Sequence, residues 1–563
     1  MRKLYFIFLI GMLACQYSYC QRTAAKRTEQ FIGTAIKKAY PACVRMWGYD
    51  TVANQRTGGQ FSGVVVSKDG RILTAAHVTA PGNTYKVMFA DGKECIARAL
   101  GKIEFAEDKT RPDAGMMQIT SKGSWPYAEM GNSAALKTFE PCISIAYPES
   151  LNQPKPTVRF GYVTDLKNER GFIKSTCLME PGDSGGPLFD LAGRLIGLHS
   201  AIEIPEAANY DVPVDTYKKY WNALSIATIY YVAPDSTAVV NNITSIEEIA
   251  PVPALKDMSA FAAVSSKLSR SCLRITSTLN GTITKASGTL FSLKGLNLKP
   301  GIGRAVIISK SSLIGDEPVL IEGDKKIKAK VISRDKSDDL VLLLPLGDIN
   351  GGLIFKDLYQ DTLPPIHPGL FLISPQPDTL STVSISGSTL FSLPKVINAG
   401  FLGAFVAAKD TPVSVIWVKP ASPALMNDIR AKDEVISING NPISKPGFYG
   451  AELQRYWPGD TLVIKLKRAG QNLIKTIVLG NVPQIHFNHP AELFAGGKSD
   501  RRDGFKCIFA HDAILKPYQC GGPVFDLEGH FYGINIARYS RVACVSMPAA
   551  NLFAFIGQAV LAK

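Results

Sequence analysis

The sequence predicts an all-β-dominated chain in which one β-barrel arrangement occurs twice in tandem, the second copy interrupted by a small α+β module. Three observations lead there: short apolar runs broken by Gly, Asn, Asp and Pro, an internal repeat, and a segment inside the second copy with its own pattern. At 563 residues the chain is long enough for several domains, and 46% hydrophobic with 20% charged residues is the balance of ordinary globular protein. The net charge of +14 is spread along the chain, without a basic stripe alternating with aromatics, so the expected partners do not include nucleic acid.

At the N-terminus Arg2 and Lys3 precede an apolar run too short to span a bilayer, the layout of a secretory signal. Residues 1–20 are expected to be a signal peptide cleaved after Cys20, giving a periplasmic or secreted protein. The alternative is a lipoprotein anchored at Cys15. Of the ten cysteines, eight remain after Cys15 and Cys20, an even number that permits disulfides without fixing a pairing.

Runs such as FSGVVVSKDGRILTAAH, YKVMFADGK and GRLIGLHSA predict antiparallel β barrels from about Thr34 to Val212, and TYKKYWNALSIA predicts a closing helix. The first copy is placed at residues 30–230 and a linker at 231–258. The second copy is split into 259–398 and 482–563, with the inserted module at 399–481. The repeat is strongest between SGGPLFDLAGRLIGLHSA at Ser184 and CGGPVFDLEGHFYGINIA at Cys520, and PDAGMMQI is answered by DDLVLLLP. In the insert, a short helix beginning at Ser422-Pro423-Ala424 and a strand ending in Asn439-Gly440 indicate a compact α+β fold.

GDSGGP, Gly182 to Pro187, carries the sharpest chemical signal. A serine hydroxyl needs a base within hydrogen-bond reach and donors for the oxyanion it creates, and glycine can take backbone conformations closed to other residues. His77, after the strand-like ILTAA, has the near-neutral imidazole suited to that base, and Asp113, before an apolar strand, can orient it. Glu107 and Asp108 are the competing acids.

His77, Asp113 and Ser184 in that chain order, with TAAH and GDSGGP, resemble the trypsin-like serine proteases (chymotrypsin fold) and particularly their HtrA (Deg/Do) branch. The resemblance implies two six-stranded barrels per copy with His77, Asp113 and Ser184 in the cleft between them. It implies an oxyanion hole from the backbone of Gly182, Asp183 and Ser184, an acyl-enzyme route, and neither cofactor nor metal. Segments around Lys174 to Glu180 and Leu198 to Ile202 are expected to form the specificity pocket, and a small or medium apolar side chain is the expected occupant.

In the second copy the same registration puts Lys310 or Ser311 at the place of His77, Asp339 at that of Asp113, and Cys520 at that of Ser184, with Tyr518 replacing Gly182. With no histidine between Met258 and Ile366, a degenerate protease is expected; His511 is the one candidate to rescue it. GFLGAFV, followed by the Ser-Pro-Ala helix, resembles a PDZ domain, which implies carboxylate capture by the backbone of Phe401, Leu402, Gly403 and Ala404 and binding of C-terminal peptides. Expected partners are unfolded or peptide substrates, and a homo-oligomer is allowed. The alternative function is a non-catalytic, chaperone-like or peptide-binding scaffold acting through the PDZ domain.

Overall fold

A computed structural model of the chain describes residues 23–104, 112–169, 171–236, 268–360, 364–377, 379–409, 411–484 and 488–562. The signal segment with Cys15 and Cys20, the competing acids Glu107 and Asp108, and the linker from 237 onward lie outside the described residues. The chain divides into two compact units: one runs to Phe391 and resumes at Asn488–Lys498 and Cys507–Lys563, and the other is Ser392–Phe487 with Ser499–Lys506.

In the larger unit the first barrel is built from Cys43–Asp50, Gln55–Val65, Arg71–Thr74, Thr84–Phe89, Glu94–Ile103 and Ala114–Ile119. It closes where Glu94–Ile103 pairs with Ala114–Ile119. Val44, Met46, Val65, Val87, Phe89 and Met117 fill it, each worth about 1.5–3 kcal/mol on burial. A second closed barrel follows from Pro141–Ala146, Thr157–Asp165, Ile173–Ser175, Pro187–Asp190, Leu195–Ile202 and Asn209–Pro213. Every residue of Pro141–Ala146 is buried, because both faces of that strand are covered. The expected closing helix is present as two short ones, Val214–Lys219 and Trp221–Leu224.

The repeat is visible in the backbone. Cys272–Leu279, Thr282–Ser292, Ala305–Lys310, Asp316–Glu322, Lys325–Asp335 and Leu340–Pro345 close a third six-stranded barrel, whose order matches the first. A fourth, seven-stranded sheet includes Phe371–Ser374, Thr382–Ile385, Pro523–Phe525, Phe531–Arg538 and Cys544–Pro548. The two copies adjoin through the Thr157–Asp165 strand: Val158 N–H donates to Gly387 O at 3.0 Å, and the half-buried Asp512 carboxylate accepts from Phe160 N–H and Ile385 N–H at 2.8 and 2.7 Å.

Residues 23–39 form a helix that composition alone does not announce. Ala25, Thr28, Ile32, Ala35, Ile36 and Ala39 are buried at helical spacing. Its polar side reaches both copies: Lys38 pairs with Glu129 at 2.9 Å, while Glu29 accepts from Phe371 N–H at 2.6 Å.

The smaller unit has the α+β make-up of a PDZ-like insertion. Thr461–Arg468 alternates exposed and buried residues, the period-two signature of a strand with one face on a core. That core includes Leu402, Val415, Val435, Ile438, Leu462, Ile464 and Ile477. Ser422 caps the helix Pro423–Met426 by accepting from Leu425 N–H, and Asn439 and Gly440 turn the chain with positive φ, as their residue types require.

Candidate active site

His77 sits in a single 3-10 turn, Ala76–Val78, that follows the strand Arg71–Thr74. That strand pairs with Ala114–Ile119, Thr74 opposite Gly115, so the residue preceding the second strand, Asp113, arrives beside His77. Buried Ala75 and Ala76 leave room for this close approach. Asp113 Oδ2 lies 2.7 Å from His77 Nδ1, and Asp113 Oδ1 accepts the His77 backbone N–H at 2.9 Å. On the other side His77 Nε2 is 3.0 Å from Ser184 Oγ.

Ser200, which the sequence offers only as pocket wall, donates its hydroxyl to Asp113 Oδ2 at 2.7 Å. Burial opposes a charge on Asp113, but the hydrogen bond and charge of His77, with Ser200 and the backbone N–H, outweigh it and hold the carboxyl below its ordinary range. For His77 burial again opposes charge, and Asp113 again outweighs it, raising the imidazole above its usual value. This is the electrostatic arrangement that favours transient imidazolium formation.

Gly182 has φ +96°, and a Cβ there would lie 2.6 Å from Tyr147 O and press on Glu149 N, so only glycine fits. Asp183 N–H donates to Glu180 O at 3.0 Å. Of the three backbone groups named as oxyanion donors, Asp183 is therefore already engaged; among the described residues the Gly182 and Ser184 N–H groups have no protein acceptor. The Asp183 carboxylate, fully buried, is gripped by both terminal nitrogens of buried Arg159 at 2.6 Å, and Arg159 also donates to Leu178 O at 2.6 Å. A bidentate, charge-assisted pair fixes the loop before the nucleophile far better than a single neutral bond would. Nothing in the sequence marks Arg159 for this role, since it lies 24 residues away on a strand.

A second Ser-His-Asp set lies deeper. His199 is 2.5 Å from both Asp211 Oδ1 and Ser144 Oγ, but all three side chains are fully buried. At the equivalent places of the second copy, Asn535 Nδ2 donates to Ser374 Oγ at 3.1 Å and Ser546 Oγ to Asn535 Oδ1 at 3.3 Å. Because the second copy keeps the same tie with different side chains, the set is a strand-to-strand brace beneath the pocket. The pocket beside Ser184, about 330 Å³, is lined by His77, Met179, Glu180, Pro181, His199, Ser200, Ala201, Ile202 and also His489. Its lining is more polar than an apolar occupant would require, and His489 is contributed by the second copy.

The second copy keeps the frame and loses the chemistry. Ser312 N–H donates to Asp339 Oδ1 at 2.7 Å, the bond His77 N–H makes to Asp113, so Ser312 and neither Lys310 nor Ser311 stands at the histidine's place. Lys310, buried, instead neutralises Asp339 from the position of Ala75. Cys520 is fully buried at the end of a 3-10 turn, Pro517–Gln519, with its N–H spent on Pro517 O at 3.2 Å. His511 is no rescue: its Nε2 is 3.0 Å from Ser546 Oγ, and burial, reinforced by Arg538, pushes its pKa down to about 3.

In the smaller unit, Phe401 to Ala404 join the strands Gly400–Phe401 and Ala404–Val406, with Gly403 at φ +83°. The Tyr449 hydroxyl, on the helix Pro446–Leu453, donates to Ala404 O at 2.7 Å and occupies an acceptor that an added peptide strand would need. All eight described cysteines are free thiols, with buried Cys142 and Cys177 in contact at 4.0 Å.

Residues 61–198 match the trypsin-like peptidase domain family. The chain is 30% identical over 168 residues to a probable periplasmic serine endoprotease DegP-like from Bartonella henselae, covering 28% of this chain and 32% of that protein. It is 27% identical over 216 residues to serine protease HTRA1 of Xenopus laevis, covering 37% and 46%, and 26% identical over 243 residues to the putative serine protease HhoA of Synechocystis, covering 36% and 59%. The aligned regions span about a third to three fifths of the length of these curated relatives. With the barrels described above, these matches give the chain a trypsin-like serine protease architecture of the HtrA/DegP type, with tandem protease-like β-barrel domains.

Proposed function

We propose that the chain is a serine endopeptidase of the periplasm or another secretory compartment, acting on protein substrates through Ser184, His77 and Asp113. One observation carries the proposal: His77 bridges Ser184 Oγ at 3.0 Å and Asp113 Oδ2 at 2.7 Å, beside a glycine-shaped loop whose Gly182 and Ser184 N–H groups are free to meet an oxyanion. Ser184 Oγ attacks the scissile carbonyl while His77 Nε2 takes its proton. Asp113 holds the imidazole with Nδ1 protonated and offsets its positive charge, and the two N–H groups stabilise the tetrahedral oxyanion. His77 then returns the proton to the leaving amine, and a water molecule, activated by the same imidazole, releases the acyl group from Ser184.

On this reading residues 30–230 are the active protease domain, 259–398 and 482–563 a degenerate copy, and 399–481 a PDZ domain for C-terminal peptides. The periplasmic location has the support of the DegP-like relatives and of the signal-like residues 1–20. Purified protein is expected to degrade an unfolded substrate such as casein, and Ser184→Ala to lower the rate at least about a thousandfold. Equal rates for the two proteins would overturn the proposal. Peptide binding without any hydrolysis would indicate the scaffold function instead.

A further inference from the structure

The degenerate copy touches the active one at the pocket that receives the substrate. In the active copy the strands Leu195–Ile202 and Asn209–Pro213 are joined by residues 203–208, which continue from the pocket wall at Ile202. The equivalent connection of the degenerate copy runs between Phe531–Arg538 and Cys544–Pro548. Its residues Arg538, Tyr539, Ser540 and Arg541 are all buried.

Arg541 is the centre of that contact. One terminal nitrogen donates to Met179 O and, at 2.8 Å, to Asn209 Oδ1; the other donates to Glu206 O. Asn209 in turn accepts Met179 N–H at 3.1 Å and donates to Glu206 O at 3.0 Å. One guanidinium and one carboxamide therefore tie both walls of the pocket, the segment ending at Met179 and Glu180 and the connection carrying Glu206. Two neighbours hold Arg541 in place: Arg538 donates to Arg541 O, and the Tyr539 hydroxyl donates to Ser150 O at 2.7 Å, beside the Ser150 hydroxyl that binds Glu180. His489, also from the degenerate copy, stands exposed at the pocket itself.

We propose that the degenerate copy completes the substrate pocket of the active one, with Arg541 as a positioning residue for its walls and His489 as a specificity-determining residue at its mouth. The inference rests on the endopeptidase reading above, and it explains why a copy without a histidine base retains a buried arginine whose two terminal nitrogens both donate to the active copy. A planar fork suits the task, because it reaches acceptors on two separate segments at once, which a point-charge ammonium does not. The oxyanion donors Gly182 and Ser184 are outside this network; Arg159, on the active copy, holds their loop.

The test uses the full chain as wild type, Arg541→Ala, Arg541→Lys and His489→Ala. Two quantities are read: the rate at which a small alkyl fluorophosphonate labels Ser184, which needs nucleophile and oxyanion hole but no pocket, and kcat/KM across peptides that differ only in the residue before the scissile bond. Arg541→Ala is expected to flatten the preference among those residues about tenfold, chiefly through KM, with the labelling rate within about twofold of wild type. Arg541→Lys is expected to restore part of the preference, and His489→Ala, an exposed change, to alter its pattern. If Arg541→Ala fails to fold, the lysine and His489 variants carry the decision. An unchanged preference in these variants, or parallel loss of labelling and cleavage in Arg541→Ala with an unchanged pattern in His489→Ala, would overturn the proposal. Failure of the wild type to label at Ser184 is a different result, which would remove the endopeptidase reading itself.

Discussion

Between Gly182 and Ser184 the first copy holds a loop kept open by a positive-φ glycine; between Tyr518 and Cys520 the second copy closes the same stretch into a 3-10 turn. The surrounding frame is the same to the level of single bonds. Ser62 N–H donates to Ser184 O at 3.0 Å and Ser287 N–H to Cys520 O at 3.1 Å; Thr74 and Ser309 each donate a hydroxyl to the corresponding strand carbonyl. Fold and chemistry are thus separable here: the barrels of the second copy persist without a histidine base or an exposed nucleophile, because neither holds the barrels together.

The difference between the copies is most sensitive to substitution at Gly182. Gly182→Ala puts a methyl group against Tyr147 O and Glu149 N and strains a backbone at φ +96°, so kcat is expected to fall about a hundredfold or more, in steady-state hydrolysis, with a smaller change in KM. The reverse experiment is next in size. Ser312→His with Cys520→Ser restores the residue types of the second copy, but Cys520 N–H remains donated to Pro517 O and Lys310 remains on Asp339. No activity above background is expected when this pair is placed in a Ser184→Ala chain, and measurable hydrolysis would show that the collapsed turn is not what disables this copy.

A moderate effect is expected in the pH profile. His77 acts as a base only when neutral, and Asp113 raises its pKa above the usual value, so the acid limb of kcat/KM should have its midpoint above about 6.5. Asp113→Asn removes the charge that raises it and should lower both the midpoint and the rate.

Much of this was legible in the sequence because it is local. GDSGGP states the nucleophile and its glycine on consecutive residues, and TAAH and the Asp before an apolar strand mark the partners. The pieces that escaped are those joined only in three dimensions. Arg159 is one basic residue on a strand until the fold sets it against Asp183, and Arg541 is 362 residues from the Met179 carbonyl it binds. The place of Ser312 was missed for a related reason. The strand Ala305–Lys310 is longer than Arg71–Thr74, so matching apolar rhythms slips at its end, and only the N–H bond to Asp339 fixes the register. The helix of residues 23–39 did have a signal, its buried 3.6-residue spacing, but alanines at several of those positions made the stripe weak.

The smallest effect expected lies in the PDZ-like unit. Tyr449→Phe frees Ala404 O for an incoming strand, at the loss of one buried hydrogen bond of about 1 kcal/mol. Affinity for C-terminal peptides, measured by fluorescence anisotropy, is expected to rise by a few fold; a decrease would mean that the hydroxyl helps to shape the groove.

On the reading proposed above, one copy is chemically competent and the other is not. That reading is tested most directly by treating the native full chain with a fluorophosphonate and, separately, with a thiol-alkylating reagent, and mapping the adducts by mass. Ser184 should carry the phosphonyl group, in a reaction abolished by His77→Ala, while fully buried Cys520 remains unmodified until the protein is denatured. An unlabelled Ser184 or a readily alkylated Cys520 in the native protein would contradict the account.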